Sequence, residues 1–388
     1  MPLRTPRASG WHPRSVTTDI KSPTFTSRDR ILLGLSGFSI IAAGALYMLG
    51  ATPVVRFIVA GAALAVLASL VGRSVEALGE RLGAAATGIL QSALGNLPEL
   101  FVIMFSLKAG LDDVVKSTIV GSILANVLLI LGLAFVVGGL KHGRQRFSAE
   151  HSRNLGLMLV LAVFILAIPS FTAALHTPAE GYERPLSVFV SIVMLVLFAL
   201  SLPATLSRRE KSEHTSPIAR DSEASNAVRA ADKHGEWPLQ IAIGMLAFAG
   251  IGAAFVSEWF VDALEPAIQT LGISQTFAGL VVVAIAGNAV ENVVGIQLMR
   301  RNQPDYAIQV VLQSPVQVAL TIAPIVVLMA PLLGAAAFTL VLSPMLIAAL
   351  IMSAIVAVLV VNDGESTWFE GCVLIALYCG IAAAFWWG

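Results

Sequence analysis

The chain has 388 residues, of which 57% are hydrophobic and only 12% are charged, and its formal net charge is zero. This composition excludes a soluble globular protein and a disordered chain, and it predicts a polytopic membrane protein. The sequence contains no Walker loop, nucleophile elbow, HExxH sequence or Cys/His cluster. We therefore expect neither an enzyme nor a primary pump, and we expect no cofactor and no nucleic-acid partner.

Residues 1–30 are rich in Arg, Ser, Thr and Pro and contain no apolar run, so we expect a flexible cytoplasmic tail. An organelle-targeting peptide is the alternative, because such peptides are also rich in Arg and Ser and poor in acids. From residue 31 onward we predict eleven membrane-spanning helices, since each apolar run is continuous over about 20 residues. The predicted spans are 31–50, 54–78, 84–107, 114–139, 154–175, 185–206, 238–262, 274–299, 307–330, 336–361 and 368–387.

The third and eighth spans each carry a carboxamide and a carboxylate, in the sequences GNLPE (95–99) and GNAVE (287–291). An ionised Glu in mid-membrane costs about 3 kcal/mol, so each acid is a functional-site hypothesis. Asn and Glu three residues apart share a helix face, and Pro98 frees the carbonyl of Leu94. Carboxylates, amides and loosened carbonyls are the hard oxygens that Ca²⁺ prefers. We predict Asn96, Glu99, Asn288 and Glu291 as cation ligands, against the alternative of two protonated Glu residues that only pack.

An offset of 192 residues relates the two motifs, and the same offset relates Ser122 to Ser314. The offset pairs a first five-helix repeat (54–206) with a second one (237–388), and the helix at 31–50 is extra. An odd number of spans per repeat gives the halves opposite orientations, a design that places a substrate site at the midplane. The predicted fold class is all-α: a polytopic membrane protein with about 11 transmembrane helices in two inverted repeats.

The distribution of basic residues predicts the orientation of the chain. If the amino terminus is cytoplasmic, 20 of the 24 Lys and Arg residues lie inside. The segment 207–236, which has mixed charge, then becomes a flexible cytoplasmic linker, and the carboxyl terminus lies outside. We therefore predict an integral protein of the inner or plasma membrane of a bacterium.

The span after each motif carries a smaller polar cluster at spacings of three and four residues, which keep its members on one face. We predict that these residues, with the glycine of each motif, support the carboxylates. The alternative is that they only join helices through hydrogen bonds. The supporting residues are Gly95, Ser122, Asn126, Gly287, Ser314 and Gln317.

Two further acids precede the motif helices. Glu76 ends the second span and Glu258 lies late in the seventh, and we predict both as candidate gate or proton-relay residues. The alternative for Glu76 is an interfacial ion pair with Arg73 or Arg81.

On these residues the chain resembles the Ca²⁺/cation antiporter superfamily, and within it the Ca²⁺/H⁺ exchanger branch, over about residues 55–385. The resemblance implies that Glu99 and Glu291 are ligands. The chain departs from the usual sequence of this branch at two places, and both bear on the identity of the coupling ion. Leu97-Pro98 replaces the usual Ala-Thr and is similar to the Na⁺-coupled branch, and Asn292 stands where the proton branch commonly has His. The matching stretches are 75–76, 88–100, 121–126, 264–266, 279–291 and 314–317.

These features predict a secondary antiporter that exchanges Ca²⁺ for H⁺ by alternating access at a midplane site of two carboxylates. One Ca²⁺ or two protons neutralise the pair, whereas an empty ionised site is costly to close. A Na⁺/Ca²⁺ or other divalent-cation exchanger is the alternative. A cation channel is a weaker alternative, because channels usually build acidic rings from several identical subunits, whereas this chain supplies both acids itself. The expected partners are the transported ions and the lipid bilayer, and the sequence predicts no oligomeric state.

Overall fold

The computed structural model describes residues 26–82, 94–215 and 237–387, with the exception of the side chains of residues 80–82, 202–215, 290 and 291. These residues are almost entirely helical. The helices are, in chain order, Ser27–Met48 (α1), Pro53–Leu82 (α2), Leu97–Lys108 (α3), Asp112–His142 (α4), Ala149–Ala174 (α5), Glu183–Thr215 (α6), Leu239–Leu271 (α7), Gln275–Gly287 (α8), Ala289–Arg300 (α9), Pro304–Leu333 (α10), Pro344–Val361 (α11) and Trp368–Ala384 (α12). The strands Gln145–Arg146 (β1) and Glu365–Ser366 (β2) form one antiparallel pair.

Within the described ranges, 8 helices are long and apolar enough to cross a membrane, and α8 with α9 adds a ninth if this bent pair is one span. Helix α12 is a shorter apolar helix. Continuous helices suit this setting because they satisfy their backbone groups internally. The prediction of a helical membrane protein is therefore confirmed, and the start of the third predicted span lies outside the described residues.

Helices extend into both segments that were predicted to be flexible, the amino-terminal tail and the linker. Thr26 caps α1, since its Oγ1 accepts a hydrogen bond from Asp29 N at 3.1 Å and Asp29 Oδ2 accepts one from Thr26 N. The prediction of a flexible tail is therefore wrong for residues 26–30, and residues 1–25 lie outside the description. Helix α6 continues to Thr215, so the start of the predicted linker is helical, and its remainder lies outside the described residues.

The segment 334–343 is not helical, although the tenth predicted span begins within it. Two serines on neighbouring helices bind its backbone. Ser170 Oγ donates to Leu340 O and accepts from Leu342 N, both at 3.0 Å, and Ser187 Oγ accepts from Leu340 N at 3.0 Å. These bonds replace the missing helical ones, which makes non-helical backbone tolerable inside a membrane protein.

Loop contacts gather several helix ends at one end of the molecule, which we call the Lys141 end. Lys141 Nζ donates to Arg300 O at 3.1 Å, and Ser148 N donates to Asp305 Oδ1 at 2.6 Å. Strand β1, which follows α4, pairs with β2, which precedes α12. The predicted topology places all these loops on one side.

A second set of contacts marks the opposite end of α4, which we call the Asp112 end. Lys116 Nζ lies 5.8 Å from the centre of the Phe338 ring. The start of α8 packs on the first part of α4, and Ser274 Oγ, just before α8, donates to Phe385 O at 2.6 Å. The predicted topology also places these loops together, on the other side.

A buried ion pair connects α1, α2 and the residues that precede α7. Arg73 Nε lies 3.3 Å from Asp29 Oδ1, and the two side chains are 6% and 2% exposed. Trp237 Nε1 donates to Asp29 Oδ2 at 3.3 Å, and its ring lies 4.9 Å from the Arg73 guanidinium carbon. Removing one partner of such a pair leaves the other charge buried, so the three groups depend on one another.

We predict that Arg73→Met lowers the free energy of unfolding by about 3 kcal/mol, because Asp29 loses its buried counter-charge. The thermal midpoint of the purified protein in detergent measures this. Arg144→Met is the matched control, since Arg144 is 64% exposed in its 2.8 Å pair with Glu365 and exposed pairs contribute about 0–1 kcal/mol. Equal shifts in the two variants would contradict the prediction.

Candidate cation-binding site

The asparagine of each motif has non-helical backbone angles. Asn96 has φ −98° and ψ 21°, and Asn288 has φ −99° and ψ 18°. An α-helix requires ψ of about −42°, so neither residue continues the preceding turn. Helices α3 and α9 begin at the next residue, and the chain bends by 60° between α8 and α9. The two motifs thus share one backbone conformation.

Side-chain amides bind two carbonyls at the second break. Ala284 O keeps its helical bond from Asn288 N at 3.2 Å and also accepts one from Asn288 Nδ2 at 2.9 Å. Asn292 Nδ2 lies 3.5 Å from Ile285 O. Carbonyls at the end of a helix need such partners when they are buried. These two carbonyls are therefore already bonded, and the group of this motif that faces Glu99 is the Asn288 side-chain amide.

Glu99 is 1% exposed and lies in the first turn of α3, where free backbone N–H groups favour a negative charge. The hydroxyl of Ser122 on α4 donates to Glu99 Oε1. Asn288 Nδ2 lies 3.4 Å from the same oxygen and 3.0 Å from Ser122 Oγ. Three parts of the chain that are distant in sequence therefore meet at one carboxylate.

Asn126 and Ser314 extend this polar network to α10. Asn126 Nδ2 donates to Ser122 O at 2.9 Å and lies 3.4 Å from Asn288 Oδ1 and 3.5 Å from Ser314 Oγ. Ser314 Oγ donates to Asn288 Oδ1 at 3.4 Å. All of these side chains are at most 4% exposed. We call Glu99, Ser122, Asn126, Asn288 and Ser314 the Glu99 network.

Glycines allow the helices of this network to approach closely. A Cβ atom on Gly121 would overlap the backbone of Leu280, so α4 and α8 cross at backbone contact. A Cβ atom on Gly287 would lie 3.4 Å from Glu99 Cγ, so this glycine borders the carboxylate side chain. Small residues are the usual means of close helix packing in membranes.

Three helices of the site contain a π-helical turn, a feature that is frequent at functional sites. The turns are Ala125–Ile130 in α4, Ala278–Val283 in α8 and Val318–Ile322 in α10. Asn126 lies within the first of them. The turns in α4 and α10 occupy nearly equivalent positions after Ser122 and Ser314.

The structure brings Gly287 and the five residues of the Glu99 network together, and the other predicted residues have different environments. Gln317 is 8% exposed and lies one turn after Ser314. Gly95 lies in the turn before α3. Asn96 Nδ2 is buried and has no hydrogen-bond partner among the described residues, so the structure does not bond it to Glu99. The side chain of Glu291 lies outside the described residues.

Glu76 and Glu258 have no contact with the Glu99 network among the described interactions. The side chain of Glu76 is 56% exposed and pairs with Arg73 at 3.3 Å, the arrangement considered as the alternative. Glu258 is exposed on α7. No group of three or more His, Cys, Asp or Glu residues with metal-binding geometry occurs among the described side chains. The described side chains that bind Glu99 are thus neutral donors, the Ser122 hydroxyl and the Asn288 amide nitrogen.

The sequence prediction omitted Thr118, which is 1% exposed and lies one turn before Ser122 on α4. Its spacing of four residues from Ser122 places it on the same helix face. This spacing was the signal available in the sequence.

Helices that break at buried polar motifs around an acid, in a membrane-spanning fold, are typical of secondary transporters. The family described as sodium/calcium exchanger protein matches residues 52–206 and 241–387. The chain belongs to this family.

Curated relatives agree with the predicted resemblance. A Ca²⁺/H⁺ antiporter of Aphanothece halophytica is 32% identical over 337 residues, which are 85% of this chain and 89% of the relative. The Ca²⁺/H⁺ antiporter ChaA of Bacillus subtilis is 32% identical, over 82% of this chain and 88% of the relative. The structure of native YfkE is 29% identical, covers 92% of this chain and 99% of its own, and has a TM-score of 0.74. The resemblance to the Ca²⁺/H⁺ exchanger branch is therefore confirmed.

Proposed function

We propose that this protein is a secondary active antiporter that exchanges Ca²⁺ for H⁺ at a site formed by Glu99 and Glu291. The observation that carries the proposal is the buried Glu99 carboxylate, which Ser122 and Asn288, both neutral, bind from two other helices. The Ca²⁺/H⁺ antiporters at 32% identity support the choice of ions.

The Glu99 network offers oxygens that a cation can take at low cost. Asn126 Oδ1 is buried and accepts no hydrogen bond from the described residues. Asn288 Oδ1 accepts only long bonds, at 3.4 Å, from Asn126 and Ser314. Ca²⁺ prefers carboxylate, carbonyl and amide oxygens at flexible geometry. With Glu291 as the second carboxylate, these oxygens form the proposed Ca²⁺ site.

The charge balance of this site favours exchange over leak. The two carboxylates of the proposed site carry two negative charges when ionised, which either one Ca²⁺ or two protons neutralise. Closing the site around uncompensated charge would leave those charges without water or counter-ions, which is costly. In the proposed cycle the site therefore closes only when loaded with Ca²⁺ or protons, and each change of access carries one kind of ion.

Alternating access is proposed to occur between two inverted halves. The matching backbone angles of Asn96 and Asn288 support this repeat. The π turns that follow Ser122 and Ser314 support it as well. Equivalent local structures at an offset of 192 residues are expected when two halves share one architecture.

Exchange of Ca²⁺ for Na⁺ is the second candidate. Leu97-Pro98 favours it, and so does Asn292, which occupies the position where the proton branch commonly has His. An amide side chain does not titrate in the physiological range. In this protein Asn292 Nδ2 lies 3.5 Å from Ile285 O, so the side chain donates a long hydrogen bond to a backbone carbonyl.

The first prediction concerns the two carboxylates. Glu99→Gln or Glu291→Gln should abolish Ca²⁺ flux in proteoliposomes while the protein still inserts, because Gln keeps the size and removes the charge. Glu258→Gln is the matched control, since Glu258 lies exposed on α7, and we expect near-normal flux. Near-normal flux in either site variant would remove the two-carboxylate mechanism.

The second prediction concerns coupling. In Na⁺-free proteoliposomes, Ca²⁺ uptake should follow an imposed pH gradient, and protons on the Ca²⁺-binding side should compete with Ca²⁺ for the same carboxylates. Asn292→His should shift the pH dependence of Ca²⁺ uptake, although His at this position is not required for uptake. Uptake that needs a Na⁺ gradient and ignores pH would favour the second candidate.

The third prediction concerns orientation in a bacterial plasma membrane. The amino terminus, the linker 207–236 and the Lys141 end should face the cytoplasm, and the carboxyl terminus should face out, because 20 of 24 basic residues then lie inside. Single cysteines labelled from each side of intact cells measure this. External labelling of the linker would overturn the orientation.

A further inference from the structure

Several buried hydroxyl groups have no hydrogen-bond partner among the described residues, which is uncommon in protein interiors. Three of them lie on α3, α4 and α10, the helices that carry Glu99, Ser122 and Ser314. These helices contact one another: α3 and the π turn of α10 both pack on the first part of α4. The unpartnered hydroxyls are those of Ser106, Thr118, Ser257, Thr321 and Tyr378.

Helical spacing aligns three of these hydroxyls with the site. Ser106 follows Glu99 by seven residues on α3, and Thr118 precedes Ser122 by four on α4. Thr321 follows Ser314 by seven residues on α10. Residues four or seven apart share one face of a helix, so each hydroxyl extends a polar face that starts at the site.

All three hydroxyls lie between Glu99 and the Asp112 end. Helix α3 runs from Glu99 toward the turn that leads to Asp112, and α4 starts at that turn. Helix α10 ends on the same side, because Phe338, shortly after it, lies against Lys116. At a rise of 1.5 Å per residue, Thr118 lies about 6 Å from the level of Ser122, and Ser106 lies about 10 Å from that of Glu99.

The mouth of this column carries two acids, and Lys108 and Lys116 lie near them in the chain. Asp112 and Asp113 are exposed in the first turn of α4. Exposed acids raise the local concentration of cations. A cation attracted there would meet hydroxyl oxygens from three helices before it reaches the carboxylate.

We propose that Ser106, Thr118 and Thr321 line the path by which a divalent cation reaches Glu99 from the Asp112 end, and that their hydroxyl oxygens replace part of its water shell on the way. Hard cations accept such neutral oxygens as ligands. The path explains why these buried hydroxyls have no protein partner. The proposal rests on the proposed transport function.

The first test compares Ca²⁺ transport from the two sides. Thr118→Val and Thr321→Val keep the side-chain shape and remove the oxygen. Each should raise the half-saturating Ca²⁺ concentration about tenfold when Ca²⁺ is added at the Asp112 end, the order expected for a lost bond to a charged group. Right-side-out and inside-out vesicles supply the two arrangements, and Ca²⁺ added at the Lys141 end should show no such change.

Thr172→Val is the matched control, because the Thr172 hydroxyl on α5 donates to Pro169 O at 2.8 Å, away from the column. We expect its half-saturating concentration to equal that of the unaltered protein. Unchanged values in both column variants, or equal changes from the two sides, would overturn the path. If the unaltered protein exchanges no Ca²⁺, the proposed function fails and the path is judged by the second test alone.

The second test needs no transport. The exposed Cys372 and Cys379 are first replaced by Ser, and Thr118→Cys or Thr321→Cys is then introduced. A membrane-impermeant methanethiosulfonate cation should label each new thiol from the Asp112 end, and Ca²⁺ should slow the reaction. Absence of labelling from that end, or labelling that Ca²⁺ does not affect, would contradict the proposal.

Discussion

The burial of Glu99 is the constraint on which the arrangement of the site depends. A carboxylate that is 1% exposed inside an apolar bundle is tolerable only if donors from other elements reach it. Ser122 and Asn288 do so from α4 and from the break after α8. Their approach requires α4 and α8 to touch at backbone distance, which Gly121 permits. The burial of Glu99 thus goes together with a close crossing of α4 and α8 and with the break after α8.

A regular transmembrane helix has no spare backbone groups with which to hold an ion, because each carbonyl is bonded four residues along. This protein departs from regular helix at both motif asparagines and at three π turns, all of them beside the polar network. At the second break, the Asn288 and Asn292 side chains bind the carbonyls of Ala284 and Ile285. The break therefore exposes few backbone oxygens. It does place the Asn288 side chain beside Glu99, and Asn126, in the π turn of α4, lies beside Asn288.

Much of the fold follows from hydropathy, because long apolar runs in a membrane have helix as their accessible structure. Hydropathy reports apolarity and not conformation, so it missed the non-helical segment 334–343, whose backbone is bound by Ser170 and Ser187 from distant parts of the chain. The site was predictable where spacing and repetition coincide, as for Glu99 and Ser122. For Asn96 the repeat equivalent of Glu99 is Glu291, whose side chain lies outside the described residues, and Thr118 has no counterpart at the repeat offset, where the chain has Val310.

The ion pairs at the Lys141 end differ in strength from the buried ion pair that joins α1 to α2. The loop after α4 joins the second predicted half there through the two-residue pairing of β1 with β2 and the pairs that Arg144 and Arg146 form with Glu365. Both arginines are more than 60% exposed, and exposed pairs contribute about 0–1 kcal/mol each. The Asp29 and Arg73 pair, by contrast, is almost fully buried and costly to break. The exposed pairs with Glu365 are therefore among the weaker contacts of this end, where the buried Gln145 also binds Met299 O, whereas the buried pair of Asp29 with Arg73 joins α1 to α2 firmly.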